Sequence, residues 1–207
     1  MAYKMVLVGG TTNCYIVYNQ EMLKGFIVDP GADSARILAE VDKLNVDIEA
    51  ILLTHAHGDH VSALNRVRDA LDVEVYMHED ELENFRHQDP NFIAMMGGEV
   101  PDRDPDVLLK DKDVIELDCG KVEVLLTPGH TPGSACYKYD DLLLSGDTLF
   151  QGSIGRTDFP GGDLRAMMRS LDRLSKLDDN LRVLSGHGPE TSIGIEKRIN
   201  PYMRQVL

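Results

Sequence analysis

The stretch Ile48-Glu49-Ala50-Ile51-Leu52-Leu53-Thr54-His55-Ala56-His57-Gly58-Asp59-His60 joins two unlike patterns with no linker between them. Ile48 to Leu53 reads as a buried strand. The residues from His55 to His60 then supply His55, His57, Asp59 and His60, all able to bind a metal. Imidazole nitrogen and carboxylate oxygen are the usual ligands of zinc and other borderline divalent ions. On a continuing strand, His55, His57 and Asp59 would share one face and His60 would point the other way. A turn through Gly58 can aim all of them around one point, dividing them between two ions. A polar loop with surface histidines would account for one such residue, but not for the cluster.

Three more segments repeat the design of an apolar strand that ends in a candidate ligand beside glycine. They are Leu125-Leu126-Thr127-Pro128-Gly129-His130, Leu143-Leu144-Ser145-Gly146-Asp147 and Val183-Leu184-Ser185-Gly186-His187. A ligand at a strand end is held by a rigid scaffold yet projects into an open crevice, and the neighbouring glycine permits a tight turn. Each segment alone is weak evidence, since a lone strand-end histidine is more often a surface or capping residue. Together with the first cluster they define a set: His55, His57, Asp59, His60, His130, Asp147 and His187.

The rest of the chain alternates short strands with helices. Strands are predicted at 3–8, 14–18, 24–28, 48–53, 73–77, 114–117, 121–126, 135–139, 142–144 and 182–184, with a turn at Asp29-Pro30-Gly31. Helices are predicted from Ser34 to Leu44, from Val61 to Ala70, from the Asp163 cap through Leu174, and from Ile195 onward. The span 79–106 reads as a short helix followed by a surface loop. The span 152–162, with Gly152, Gly155, Gly161 and Gly162, reads as irregular. Strands followed by helices occur in the first half and again in the second, which suggests mixed sheets covered by helices.

Composition narrows the function. Over 207 residues, 35 acidic against 21 basic side chains give a formal charge of −14. That balance opposes a sequence-independent grip on nucleic acid, which needs surplus Lys and Arg, and also opposes docking on an anionic membrane. Cys14, Cys119 and Cys136 form no disulfide framework or zinc ribbon, so a reducing cytosol is expected. The opening MAYKMVLVGG lacks the apolar core of a signal peptide, and no window approaches a spanning helix. The expectation is one cytoplasmic domain over 1–207, a monomer or small homo-oligomer with a small-molecule substrate. His78 and His87 are expected to be structural or surface residues. Tyr15, Tyr137 and Tyr139 are expected to be strand packing, and Cys14 a small buried side chain.

The pattern H-x-H-x-D-H with the later His130, Asp147 and His187 resembles the metallo-β-lactamase superfamily. The runs GDTLFQGSIGRTDFPGGD (146–163) and GHGPETSIGIEKRINPY (186–202) are similar to its glyoxalase II-like, or hydroxyacylglutathione hydrolase-like, branch. The resemblance implies an α+β fold, the four-layer αβ/βα sandwich of two mixed β-sheets flanked by helices. It implies one metal on His55, His57 and His130, a second on Asp59, His60 and His187, and Asp147 bridging both. Zinc is the first expectation for the pair, with iron or manganese as alternatives. Glyoxalase II enzymes also carry a C-terminal helical domain that holds glutathione, for which residues up to Leu207 offer no counterpart. A carboxylate at 147 disfavours antibiotic hydrolysis, since a true β-lactamase would be expected to carry a softer ligand there and a secretion signal.

Two cations about 3.5–4 Å apart can share one water and make it hydroxide near neutral pH. Set against Asp59, Asp147 and a hydroxide, they leave a net charge of roughly +1. The reaction implied is attack of that hydroxide on a thioester such as S-lactoylglutathione, with Asp59 and Asp147 as catalytic carboxylates. A second reading is a mononuclear iron persulfide dioxygenase that uses His55, His130 and Asp147 and shares the run Gly155 to Asp158. Arg156 and Asp158 are either substrate groups or an internal pair that stiffens their loop.

Overall fold

The computed structural model describes residues 1–207. The first half forms β1 (Ala2–Val8), β2 (Thr12–Asn19), β3 (Lys24–Val28), β4 (Asp47–Leu53), β5 (Glu74–His78) and β6 (Val107–Leu109). These make one sheet in that order, antiparallel up to β3 and parallel from β3 to β6. The second half forms β7 (Val114–Leu117), β8 (Gly120–Leu126), β9 (Ala135–Tyr139), β10 (Leu142–Gly146), a small hairpin of β11 (Leu149–Phe150) and β12 (Ser153–Ile154), then β13 (Arg182–Ser185) and β14 (Thr191–Ser192). Its sheet runs β14-β13-β10-β9-β8-β7, with only β10 and β13 parallel.

Helices α1 (Ser34–Leu44), α2 (Gly58–Val61), α3 (Leu64–Leu71), α4 (Leu82–Arg86) and α5 (Pro90–Met95) belong to the first half, and α6 (Leu164–Ser175) and α7 (Ile193–Ile199) to the second. No helix is long and apolar enough to cross a membrane.

Strand periodicity explains the layers. Successive side chains face opposite sides of a sheet. In β4, Ala50 and Leu52 pack in the cluster between the sheets, while Ile51 and Leu53 pack outward with Ile37, Val41, Leu64 and Val67 of α1 and α3. In β10, Leu142 and Leu144 face inward and Leu143 faces Met167, Leu171 and Leu174 of α6. Central strands therefore read as unbroken apolar runs because both faces are covered. The result is helix, sheet, sheet, helix: the expected four-layer sandwich. Tyr15, Tyr137 and Tyr139 lie in the central layer and Cys14 in the outer one, all buried as expected.

Four local expectations are corrected. The helix expected over Val61–Ala70 is two helices, because the Ala63 amide donates to the Pro30 carbonyl across the fold and breaks the helical ladder. The span 79–106 holds α4 and α5, the latter opened by Asp89 capping the Asn91 amide and by Pro90 at its first turn. Strand β6 went unread because three residues carry no periodicity; Asp106 positions it by accepting from the Val75 amide and from Arg68. The glycine-rich span also contains β12, a two-residue arm paired with β11.

The two sheets are stitched at one end by polar bonds that cross between them. The Asn13 amide donates to the Gly186 carbonyl and the Ala135 amide to the Thr54 carbonyl, at 2.8 and 2.9 Å. Asn13 Nδ2 donates to Ser185 and Gly188 carbonyls, Tyr15 Oη to Ser185 O, and Tyr137 Oη to Leu53 O. Replacing Tyr137 with Phe removes one such donor while keeping the ring. It should lower stability by about 1 kcal/mol, read as an earlier midpoint in urea unfolding; an unmoved midpoint would show that this stitch carries no stability.

Candidate metal centre

Strands β4, β8, β10 and β13 all deliver their C-terminal ends to the stitched edge, and the next few residues of each carry the predicted ligands. Strands β8, β10 and β13 run in one direction, since two antiparallel steps separate β8 from β10 and β13 is parallel to β10. His130, Asp147 and His187 therefore emerge together and meet the loop after Leu53. All seven predicted residues converge there.

They fall into two groups. His55, His57 and His130 present nitrogens within 4.8 Å of one another, and so do the ligand atoms of Asp59, His60 and His187. Asp147 touches both: Oδ2 lies 3.5 Å from His130 Nε2 and 3.4 Å from His187 Nε2, and Oδ1 lies 3.5 Å from His60 Nε2. The groups are close, with the rings of His55 and His60 4.1 Å apart between centroids. His55, His60, His130 and Asp147 are buried, whereas the side chains of His187 and Asp59 are 29% and 20% exposed. His57 is partly exposed as well, so solvent reaches both groups.

Each imidazole is turned by a partner on its other nitrogen, which fixes the tautomer that leaves the inner nitrogen free. His130 Nδ1 donates to the Arg156 carbonyl at 2.7 Å, and His187 Nδ1 to the Thr11 carbonyl at 2.8 Å. His60 Nδ1 pairs with Asp29 Oδ2 at 2.9 Å. His55 Nδ1 lies 3.1 Å from Thr54 Oγ1. His57 is the exception, presenting Nδ1 itself at 2.8 Å from His130 Nε2.

Several contributors escaped the reading of the sequence. Asp29 is buried and accepts from the Thr54 amide and hydroxyl as well as pairing with His60, so it holds both ends of the ligand loop. Thr12 donates to Asp59 Oδ2. Glu81, fully buried, accepts from the Ala56 and Gly133 amides. A charged residue directly after the apolar strand β3 was a usable signal for Asp29, read only as part of a turn. Gly31 completes that turn: a Cβ there would overlap the Asp59 carbonyl. His78 is buried and His87 is exposed; neither is among the converging side chains. Arg156 and Asp158 form a two-point pair at 2.9 Å, as in one of the two readings given for their loop. Above the pair, the Arg156 guanidinium stacks on Phe159, whose ring lies 5.6 Å from His57.

Electrostatics separates the two groups. Burial lowers the affinity of His55 and His130 for a proton, and burial with the neighbouring imidazoles takes His57 down to about 4. All three are thereby disposed to offer a free ring nitrogen. For His60 burial acts in the same direction, but Asp147, Asp29 and Asp59 outweigh it and push the group up to about 9. For His187, bonds to Asp147 and Asp59 overcome burial and push it up to about 11. Burial would raise Asp59 and Asp147, yet His60 and His187 hold both below the usual carboxylate range. The carboxylates therefore call for positive charge at this edge.

Divalent cations fit that demand. His55 Nε2 and Asp147 Oδ1 are buried with no hydrogen-bond partner, and such orphans are costly unless something coordinates them. The donors are nitrogen and carboxylate oxygen, the set that zinc, iron and manganese accept.

Comparison with known proteins finds related sequences and folds. A model of the metallo-beta-lactamase superfamily matches residues 7–187. Hydroxyacylglutathione hydrolase GloC of Haemophilus influenzae is 33% identical over 92% of each chain. Among solved structures, BLEG-1, described as a B3 metallo-beta-lactamase, is 36% identical with a TM-score of 0.89 over 98% of this chain and 99% of its own. TTHA1623 in a di-iron-bound form is 36% identical with a TM-score of 0.83, over 98% and 100%. ETHE1 from Myxococcus xanthus is 26% identical with a TM-score of 0.81, over 97% and 84%.

Gly186 gives a direct probe of the centre. A Cβ there would overlap Asp147 Oδ1 and come within 2.7 Å of His60 Cε1. Gly186→Ala should therefore displace both ligands and cut the metal bound per chain, measured by elemental analysis, by half or more. Full loading of a folded Gly186→Ala protein would mean that these two side chains do not hold the ion.

Proposed function

Since this chain belongs to the metallo-beta-lactamase superfamily, we propose that it is a binuclear metallohydrolase that cleaves a thioester, S-lactoylglutathione or a related acyl-thiol. The observation that carries this reading is the contact of Asp147 with both ligand groups, on the edge where the cleft is open. Two divalent ions held there, zinc first, would polarise a carbonyl and make a shared water acidic enough to ionise near neutral pH.

The chain's own residues do the rest. His55, His57 and His130 would hold one ion and Asp59, His60 and His187 the other, with Asp147 in reach of both. Asp59 has Oδ2 fixed by Thr12 at 3.0 Å. Its other oxygen would be left to accept a hydrogen bond from the water and orient it. A substrate carbonyl would enter past the partly exposed His187 and Asp59. A thiolate departs without a proton, so no acid is required of the protein, whereas an expelled amide nitrogen would need one. The likeness to GloC supports the thioester, and the likeness to BLEG-1 makes a β-lactam the necessary rival in any test.

Persulfide oxidation on a single iron would use only His55, His130 and Asp147. The likeness to ETHE1 and the run Gly155 to Asp158 speak for that reading. The complete Asp59, His60 and His187 group speaks for two ions.

Elemental analysis of the native protein should give two divalent ions per chain. Small thioesters should be hydrolysed, and chelation should abolish turnover until metal is restored. Asp147→Asn should lose at least one ion and about 100-fold or more in turnover. One iron per chain with oxygen uptake on a persulfide would establish the second reading. Hydrolysis of β-lactams with no thioester turnover would defeat the substrate assignment.

A further inference from the structure

Glu81 sits in a short turn after β5 and is fully buried. No lysine or arginine pairs with it; instead its two oxygens accept four bonds. Oε1 takes the Ala56 amide at 3.0 Å and Asn84 Nδ2 at 3.2 Å. Oε2 takes Thr131 Oγ1 at 2.7 Å and the Gly133 amide at 2.9 Å. A buried carboxylate without a counter-ion is costly, and this one is kept where an apolar residue would pack without that cost.

The donors show what it does. Ala56 lies between His55 and His57, and Thr131 and Gly133 lie one and three residues after His130. Glu81 thus ties together the two backbone segments that carry the whole of the first ligand group. Those segments press closely on it: a Cβ at Gly133 would come within 2.6 Å of Glu81 Cβ. The second group hangs from other anchors, namely Asp29 on His60, Thr12 on Asp59 and the Thr11 carbonyl on His187.

We propose that Glu81 is a positioning residue that sets the metal affinity of the His55, His57 and His130 group and leaves that of the Asp59, His60 and His187 group alone. The inference rests on the two-ion reading given above. Glutamine at this position would turn an amide NH2 toward one of the two donor pairs, which pushes the tied segments apart. Groups that orient metal ligands through such contacts commonly change affinity about 10–100-fold when altered.

The test uses zinc alone, titrated into chelator-stripped full-length protein against a competing chelator. Glu81→Gln is placed in two backgrounds, His187→Ala, which leaves the first group intact, and His57→Ala, which leaves the second. The expected result is a loss of about tenfold or more in zinc affinity in the His187→Ala background, and no change in the His57→Ala background. Thr131→Val, which removes one donor and keeps Glu81, should act in the same direction but less, and serves if Glu81→Gln fails to fold. Equal weakening in both backgrounds, with a lowered Tm, would make Glu81 a general tie of the fold and overturn the proposal, as would no change in either. If the parent protein takes up fewer than two ions, the two-ion reading itself fails. If it takes up two and the variants show no selectivity, only the role of Glu81 fails.

Discussion

Three carboxylates, Asp29, Asp59 and Asp147, stand among five imidazoles at the edge where two sheets meet, and that charge has to be answered locally. Water cannot do it well, because most of these groups are buried. The raised proton affinity of His60 and His187 beside these carboxylates marks that demand. Two buried atoms, His55 Nε2 and Asp147 Oδ1, are left without partners. Cations would answer the demand, since they match both the donors and the sign of the field.

The fold serves this requirement by rigidity. The ligands follow strands anchored in packed cores, β4, β10 and β13 covered on both faces and β8 on one, so their backbone positions are set largely by the sheets. The sheets would be free to splay at this edge but for the bonds of Asn13, Tyr15, Tyr137 and Ala135 to the opposite sheet. Several of those bonds end on residues adjoining a ligand, such as Leu53, Thr54, Ser185 and Gly186. Stability and site geometry thus share the same hydrogen bonds.

The two ligand groups differ in character. One is made of imidazoles alone and is tied by Glu81 and the Arg156 carbonyl. The other sets Asp59 beside His60 and His187. Solvent reaches both, the first through His57 beside the exposed Phe159 and the second through Asp59 and His187.

Short-range chemistry was legible in the amino-acid order. Short apolar runs gave β3, β7 and β9, and an apolar helical face gave α1, at their observed limits. The repeat of strands and helices in both halves pointed to mixed sheets covered by helices, and the four-layer sandwich came from the family resemblance. The ligands were legible because they cluster after Leu53 and recur beside glycine at three strand ends. The partners of Asp29, and those of Glu81 other than Asn84, were not, since they lie 25 to 52 positions away and a buried hydrogen bond leaves no periodic trace in the chain. The break before α3 and the pairing of β6 were hidden for the same reason, being fixed by Pro30 and Asp106 across the fold. The sequence by itself determined which side chains could bind a cation and which faces could be buried, because both depend on residue type and local spacing. Only the tertiary structure decided how the ligands divide into two groups and which buried carboxylates hold them, because that depends on contacts between segments far apart in the chain.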